Sequence, residues 1–246
     1  MALFQGFSFG GVNSLTYGIY ITGQAVYNAP ERAVEMVSIP GRNGALAIDQ
    51  GRFENIEVTY NCGCFANTQS AFAAKVRDFR NALASMRGYQ RITDDYNSDE
   101  YRLAIFRADI SIDPVANSRA GEFEIVFDSK PQRFLTAGET SVSVSSGDTL
   151  ANPTLFSSQP LLKVTGYGEL TIGDVTVEVA QPETAGDIYI DCDIMESYQL
   201  LTSTPSAVNS LITLSGNEYP VLEPGNNTIT YTGITALSIT PRWWRL

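Results

Sequence analysis

Apolar positions along the chain recur at two spacings, and one stretch alone carries the helical one. Between residues 69 and 87, Phe72, Val76, Phe79, Leu83 and Met86 return every three or four positions, which puts them on one stripe of an amphipathic helix. Asn67 or Thr68 can accept from the free first-turn amides, and Gly88 suits the left-handed position after the last turn. At about 1.5 Å per residue the helix would run roughly 28 Å, enough to lie along a sheet. Lys75, Arg77 and Arg80 fall off the stripe and read as a solvated face, or as a surface for an acidic neighbour.

Elsewhere the period is two. Residues 14–21, 34–39, 53–60, 101–110 and 122–127 are rich in β-branched and aromatic side chains, punctuated by Gly, Pro, Asn and Asp, and read as strands. Beyond residue 140 the pattern predicts short strands and no helix. Leu170 and Ile172, then Val175, Val177 and Val179, alternate on either side of Gly173-Asp174, a hairpin signal. Ile188, Ile190, Cys192 and Ile194 alternate with Tyr189, Asp191, Asp193 and Met195, as in a strand that buries one face and wets the other. Residues 211–214, 229–231 and 237–239 continue the series, with Pro224-Gly225-Asn226-Asn227 as a turn. The class expected is mainly β with one flanking α-helix, ending in a β-sandwich.

The 246 residues, 43% hydrophobic and 17% charged, suit one large or two ordinary packed domains. Charge is unevenly spread. Residues 1–136 hold 13 basic and 15 acidic side chains, net -2, and residues 137–246 hold 3 and 12, net -9, which together give the formal -11. Ser plus Thr rises from 15 to 27 across the same cut. Two domains, 1–136 and 137–246, are expected, meeting near Ala137-Gly138-Glu139. The overall acidity opposes a grip on phosphate backbone. The sequence predicts neither a membrane span nor a signal peptide, since no apolar run nears the ~18 residues required and no basic, then apolar, segment opens the chain.

With no histidine, Ser-His-Asp and Cys-His catalysis are excluded. Cys62, Cys64 and Cys192 are one ligand short of a four-cysteine zinc site and read as reduced thiols, so no metal is expected. Asp191 and Asp193 would project from one face of a strand, where they can hold a cation, serve as a carboxylate pair or simply be solvated. No partner acid is evident, and neither catalytic residue nor cofactor is assigned. Ile39-Pro40-Gly41-Arg42-Asn43-Gly44 reads as a turn: Pro fixes φ, and Asn-Gly suits successive positive φ values. Trp243 and Trp244 read as anchors that tie down a terminal strand.

An ordered series of segments resembles the distal tail (Dit) proteins of long-tailed, non-contractile bacteriophages. It comprises Pro40, Gly41, Arg42, Asn43 and Gly44; Gly88-Tyr89 leading to Asp94-Asp95-Tyr96; Phe127 to Leu135 with Pro131 and Gln132; Asn152-Pro153; Pro160 to Gly166; Ile190-Asp191-Cys192; and Pro241-Arg242-Trp243. Ser129 stands where the family often has Cys, and the chain has no room for the sugar-binding modules inserted in larger members. The resemblance implies an N-terminal split β-barrel or sandwich with one flanking α-helix, which forms rings, and a C-terminal galectin-like β-sandwich whose last strand can return to the N-terminal domain. It implies a structural virion protein rather than an enzyme: a homohexameric ring, paired through sheet edges, joining the tail tube to the tail tip. The implied partners are the tail-tube protein, a tail-tip protein and a receptor-binding protein, with DNA only passing through the channel, no membrane insertion, and assembly in the host cytoplasm. The alternative is a carbohydrate-binding module that recognises host cell-surface glycans.

Overall fold

The computed structural model describes residues 4–23, 28–107, 110, 112–115, 119–201, 204–216 and 218–246. They form two compact units, Met1–Arg133 with Leu246, and Phe134–Arg245.

The first unit holds β1 (Phe7–Phe9), β2 (Val12–Asn13), β3 (Ile19–Ile21), β4 (Arg32–Ser38), β5 (Ala45–Phe53), β6 (Ile56–Phe65), α1 (Gln69–Ala84), β7 (Gln90–Asp94), β8 (Glu100–Phe106), β9 (Asp113–Val115) and β10 (Ala120–Ser129). Its main sheet runs β2-β1-β7-β8-β10-β6-β3 with antiparallel neighbours, and β9 pairs with β10. Phe7 on β1 stacks on Tyr60 of β6 at 4.9 Å, although three strands separate them in the sheet order. Only a sheet that curls back on itself brings those rings together, so the unit is a half-barrel. Phe127 closes the interior, 5.5 Å from Phe7 and 4.8 Å from Phe9. The predicted stripe of α1 covers this core: Phe72, Phe79 and Leu83 are buried, and Val76 and Met86 pack at its margin. Thr68 caps the helix, its hydroxyl accepting from Ala71 N at 3.2 Å.

Several boundaries differ from the sequence reading. Residues 14–17 form a 3-10 turn and not a strand, because the Asn13 side chain accepts from Leu15 N and Gly18 ends the turn at φ 71°. The expected strand 53–60 is divided at Glu54-Asn55, Phe53 ending β5 and Ile56 beginning β6. The expected strand 101–110 ends at Phe106, and its Ala108 and Asp109 lie outside the described residues. Helix α1 stops at Ala84, short of Gly88, since Ser85 Oγ donates to Ala82 O at 2.8 Å and Ser85 serves as the cap.

The second unit holds β11 (Arg133–Leu135, begun at the boundary), β12 (Val142–Val144), β13 (Thr149–Asn152), β14 (Leu161–Ile172), β15 (Val175–Val179), β16 (Ile188–Asp191), β17 (Glu196–Gln199), β18 (Ser206–Ala207), β19 (Ile212–Leu214), β20 (Gly225–Thr240) and β21 (Trp244–Arg245). β14 and β20 are its long pair. One half of their length carries the path β12-β20-β14-β16-β17-β18, and the other half carries β13, β15 and β19. Leu162 and Val164, and further along Leu170 and Ile172, enter one core. Between them the pairing with β20 changes register at Thr165–Glu169, beside Gly166, Gly168 and Gly233. A Cβ on Gly168 would lie 2.0 Å from Thr232 O.

The predicted Gly173-Asp174 hairpin joins β14 to β15, with positive φ at Gly173. The predicted Pro224-Asn227 turn is instead the start of β20, and 229–231 and 237–239 are parts of that one strand. Strand β16 ends at Asp191, so the expected alternation through Met195 breaks there: Cys192 is buried while Ile194 is 57% exposed. β21 pairs with β11, Leu135 N donating to Trp243 O at 2.8 Å.

Candidate functional site

Strands β4 and β5 form a two-stranded sheet of their own, closed by the exposed turn Pro40, Gly41, Arg42, Asn43 and Gly44. Arg42 N donates to Ile39 O at 3.2 Å. Gly41 and Gly44 take φ of 79° and 80°, whereas Asn43 does not, so the two positive values are not successive as the Asn-Gly pair suggested. Met36 and Ala47 pair on one face, and Val37 and Leu46 on the other. Both faces are apolar and both are open to solvent: Met36 is 63% exposed, Leu46 45% and Ile48 44%. An ion pair between Arg32 and Asp49, 2.5 Å, ties the strands, and the hydrogen bond from Arg32 holds the Asp49 carboxyl below its usual range. At the base, Asn55 Nδ2 donates to the Tyr89 hydroxyl at 3.0 Å and to Asp128 Oδ1 at 2.9 Å, and Lys130 lies 5.2 Å over the Tyr89 ring. Gly88 precedes Tyr89 at φ 66°.

The other motif residues lie apart from this hairpin. Pro131 and Gln132 follow β10, half-buried, with Gln132 Oε1 buried and without a hydrogen-bond partner. Asn152 is buried in the second unit. Its Nδ2 donates to Phe156 O and Leu222 O, and its Oδ1 accepts from Thr154 N and Oγ1, which fixes the bend at Pro153. Trp243 is in the second core. The motif therefore marks structural points of both units, not one pocket.

The candidate chemistry resolves differently from its expected form. Asp191 is buried, and both its oxygens accept from Arg242, at 2.6 and 2.8 Å; Asp193 donates its backbone N–H to Asp191 Oδ1 instead of projecting beside it. Burial alone would raise the Asp191 pKa, yet the Arg242 bonds and charge outweigh it and hold the carboxyl below its ordinary value. Cys62 and Cys192 are buried, and burial pushes both thiols up to about 12. They remain protonated and unreactive near neutral pH.

The half-barrel with its flanking helix and two-stranded hairpin has counterparts among known proteins. Residues 13–129 match the family described as the phage tail protein RIFT-related domain. The matched segment occupies most of the first unit and includes the hairpin, α1 and Tyr89. No curated protein sequence matches the chain. Among solved structures, the Dit (gp 19.1) protein of phage SPP1, described as a paradigm of the hub adsorption apparatus in phages infecting Gram-positive bacteria, aligns at a TM-score of 0.75 and 12% identity over 98% of this chain and 99% of that chain. A chain of the phage P2 baseplate in its activated conformation with Ca aligns at 0.57 and 9% identity, over 97% and 98%. The same baseplate with Sr gives 0.57 and 9%, over 98% of both chains. The resemblance noted in the sequence is supported by the phage-tail family match over residues 13–129, and by likeness of fold to SPP1 Dit along the whole chain.

Sequence reading missed β5 and the exposed apolar residues of the hairpin. Ala45, Leu46, Ala47 and Ile48 are apolar on both faces, so no period-two contrast announced the strand. The only signal was the turn that precedes them.

Proposed function

We propose that this chain is a structural component of a phage virion, a distal tail hub that assembles as a closed ring and connects the tail tube to the tip. The observation that carries the reading is the β4–β5 hairpin of the tail domain. An isolated two-stranded hairpin is marginal in water, and this one exposes apolar side chains on both faces. A second copy of the chain is the partner that supplies cover at every position of a ring, each hairpin reaching the next tail domain in a head-to-tail contact that closes by rotation. The sheet edges, β2 and β3, are two and three residues long, and Gln5 already bridges Ile21 on β3. Edge pairing is thus a lesser contributor than the sequence suggested. The first 136 residues carry net charge -2, so tail domains repel one another weakly when brought together.

The likeness to SPP1 Dit and to a P2 baseplate chain supports the hub position and the distal tail of the virion as its location. In this reading the ring has six copies, one face meets the tail tube and the other a tip protein, the second unit is a galectin-like sandwich that can carry a receptor-binding protein, and DNA passes through the channel. Glycan recognition by the second unit finds less support. Trp243 is buried, Trp244 stacks on Phe156 at 4.5 Å, Arg242 is engaged by Asp191, and Tyr189 and Tyr198 stack on each other at 5.4 Å.

Light scattering tests the assembly. Wild-type protein is expected near 161 kDa, six times 26.8 kDa, and the double variant Met36→Glu, Ile48→Glu is expected at the monomer mass with a cooperative melting transition that no longer depends on protein concentration. A wild-type monomer at all concentrations, with no annular particle by electron microscopy, would refute the ring.

A further inference from the structure

The sequence holds a single Asn-Gly pair, Asn43-Gly44, and it lies in the exposed turn between β4 and β5. Among the described residues, no hydrogen bond engages the Asn43 side-chain amide or the Gly44 N–H. Gly44 stands at φ 80° in open space, with nothing within 4 Å of the position a Cβ would take. Having no Cβ of its own, Gly44 leaves its nitrogen open to close approach by the preceding side chain.

Other asparagines outside regular structure are held in place. Asn97 Nδ2 donates to Asp94 Oδ1 at 3.2 Å, and Asn209 Oδ1 accepts from Ser197 N. Both precede a serine, whose Cβ crowds the main-chain nitrogen. Asn152 precedes Pro153, which has no N–H, and its amide is fixed by Phe156 O and Leu222 O. Asn43 thus combines a free amide, a free neighbouring nitrogen and no steric shield.

We propose that Asn43-Gly44 is a site of spontaneous self-modification, where the side-chain amide becomes a carboxylate without an enzyme. Hydroxide takes the proton from Gly44 N, and that nitrogen attacks Asn43 Cγ. The Cγ–Nδ2 bond breaks and ammonia leaves, taking its proton from water and returning hydroxide, so that a cyclic imide remains. Water then opens the imide. Breaking the bond between Gly44 N and Cγ yields aspartate. Breaking the bond between Gly44 N and the Asn43 main-chain carbonyl carbon yields isoaspartate, whose main chain runs through Cβ and Cγ. Either product is ionised at neutral pH and adds a negative charge beside Arg42. Isoaspartate also lengthens the turn by a carbon, next to the Ser38–Ala45 pair that begins the β4–β5 ladder. The reaction needs only the turn and not the ring.

The test incubates folded full-length wild type and Asn43→Gln at a series of mildly alkaline pH values, then digests each with pepsin in acid, where the imide does not form. By mass spectrometry the wild-type peptide carrying Asn43 is expected to show the mass shift of an amide-to-acid exchange ahead of every other asparagine peptide. Its rate should rise in proportion to hydroxide, with ammonia released and two product peptides of equal mass, aspartyl and isoaspartyl, separating by chromatography. Asn43→Gln is expected to keep its mass, because the longer side chain closes a larger ring far more slowly. The wild-type map decides the matter even if the variant fails to fold. Retention of the Asn43 amide in folded protein, conversion only after denaturant is added, or faster conversion at another asparagine would overturn the proposal.

Discussion

Asp191 and Arg242 sit fifty-one residues apart in sequence and share two hydrogen bonds in the second unit. Arg242 adopts φ 56°, a conformation that a non-glycine residue holds only when its surroundings enforce it. Removing the carboxylate charge leaves the guanidinium unpaired, and Asp191→Asn is expected to lower stability by about 3 kcal/mol, the lower bound for breaking a buried pair because Arg242 is partly exposed. Chemical denaturation would measure it. The folded carboxyl titrates below its ordinary 3.8. On acidification the unfolded chain therefore binds the proton first, so the pair's contribution is full at neutral pH and fades as pH falls below about 4 through the folded value. The difference between wild type and Asp191→Asn should shrink over that window. Sequence alone showed an acidic residue on an alternating segment, which on local grounds is a wet position. Its partner was invisible because the contact is made by long-range packing. The thiols behave similarly: with Cys62 and Cys192 raised to about 12, alkylation at pH 8 is expected to be slow in native protein and complete once denaturant is added, as mass spectrometry would record.

Among the elements, α1 was the most legible, since a stripe at spacings of three and four encodes its own buried face. The boundaries of β14 and β20 were harder. Each passes through glycines that read locally as breaks, yet each continues as one strand across the register shift. Gly168→Ala tests that geometry. With φ 143° and a Cβ placed against Thr232 O, the substitution is expected to cost about 3 kcal/mol or more by overpacking and strain, whereas Gly44→Ala, at positive φ in open space, should cost about 1 kcal/mol. Calorimetry on both variants separates crowding from backbone strain.

At the scale of the molecule, the charge break near residue 136 and the separate cores of the two units concern the same stretch of chain. Each core is built from its own side chains. A fragment of residues 134–246 is therefore expected to unfold cooperatively by circular dichroism, and failure to do so would mean that its core depends on the first unit. What sequence could not supply was the exposure of the hairpin's apolar side chains among the described residues, a property of what surrounds a segment and not of its composition.

That hairpin has a kinetic consequence. In the proposed ring, a strip that is greasy on both sides remains sticky after its first encounter, so open chains of two to five subunits would carry unsatisfied surface at their ends while the completed circle would carry none. Intermediates should accordingly be scarce, and the population should divide between free subunits and finished particles.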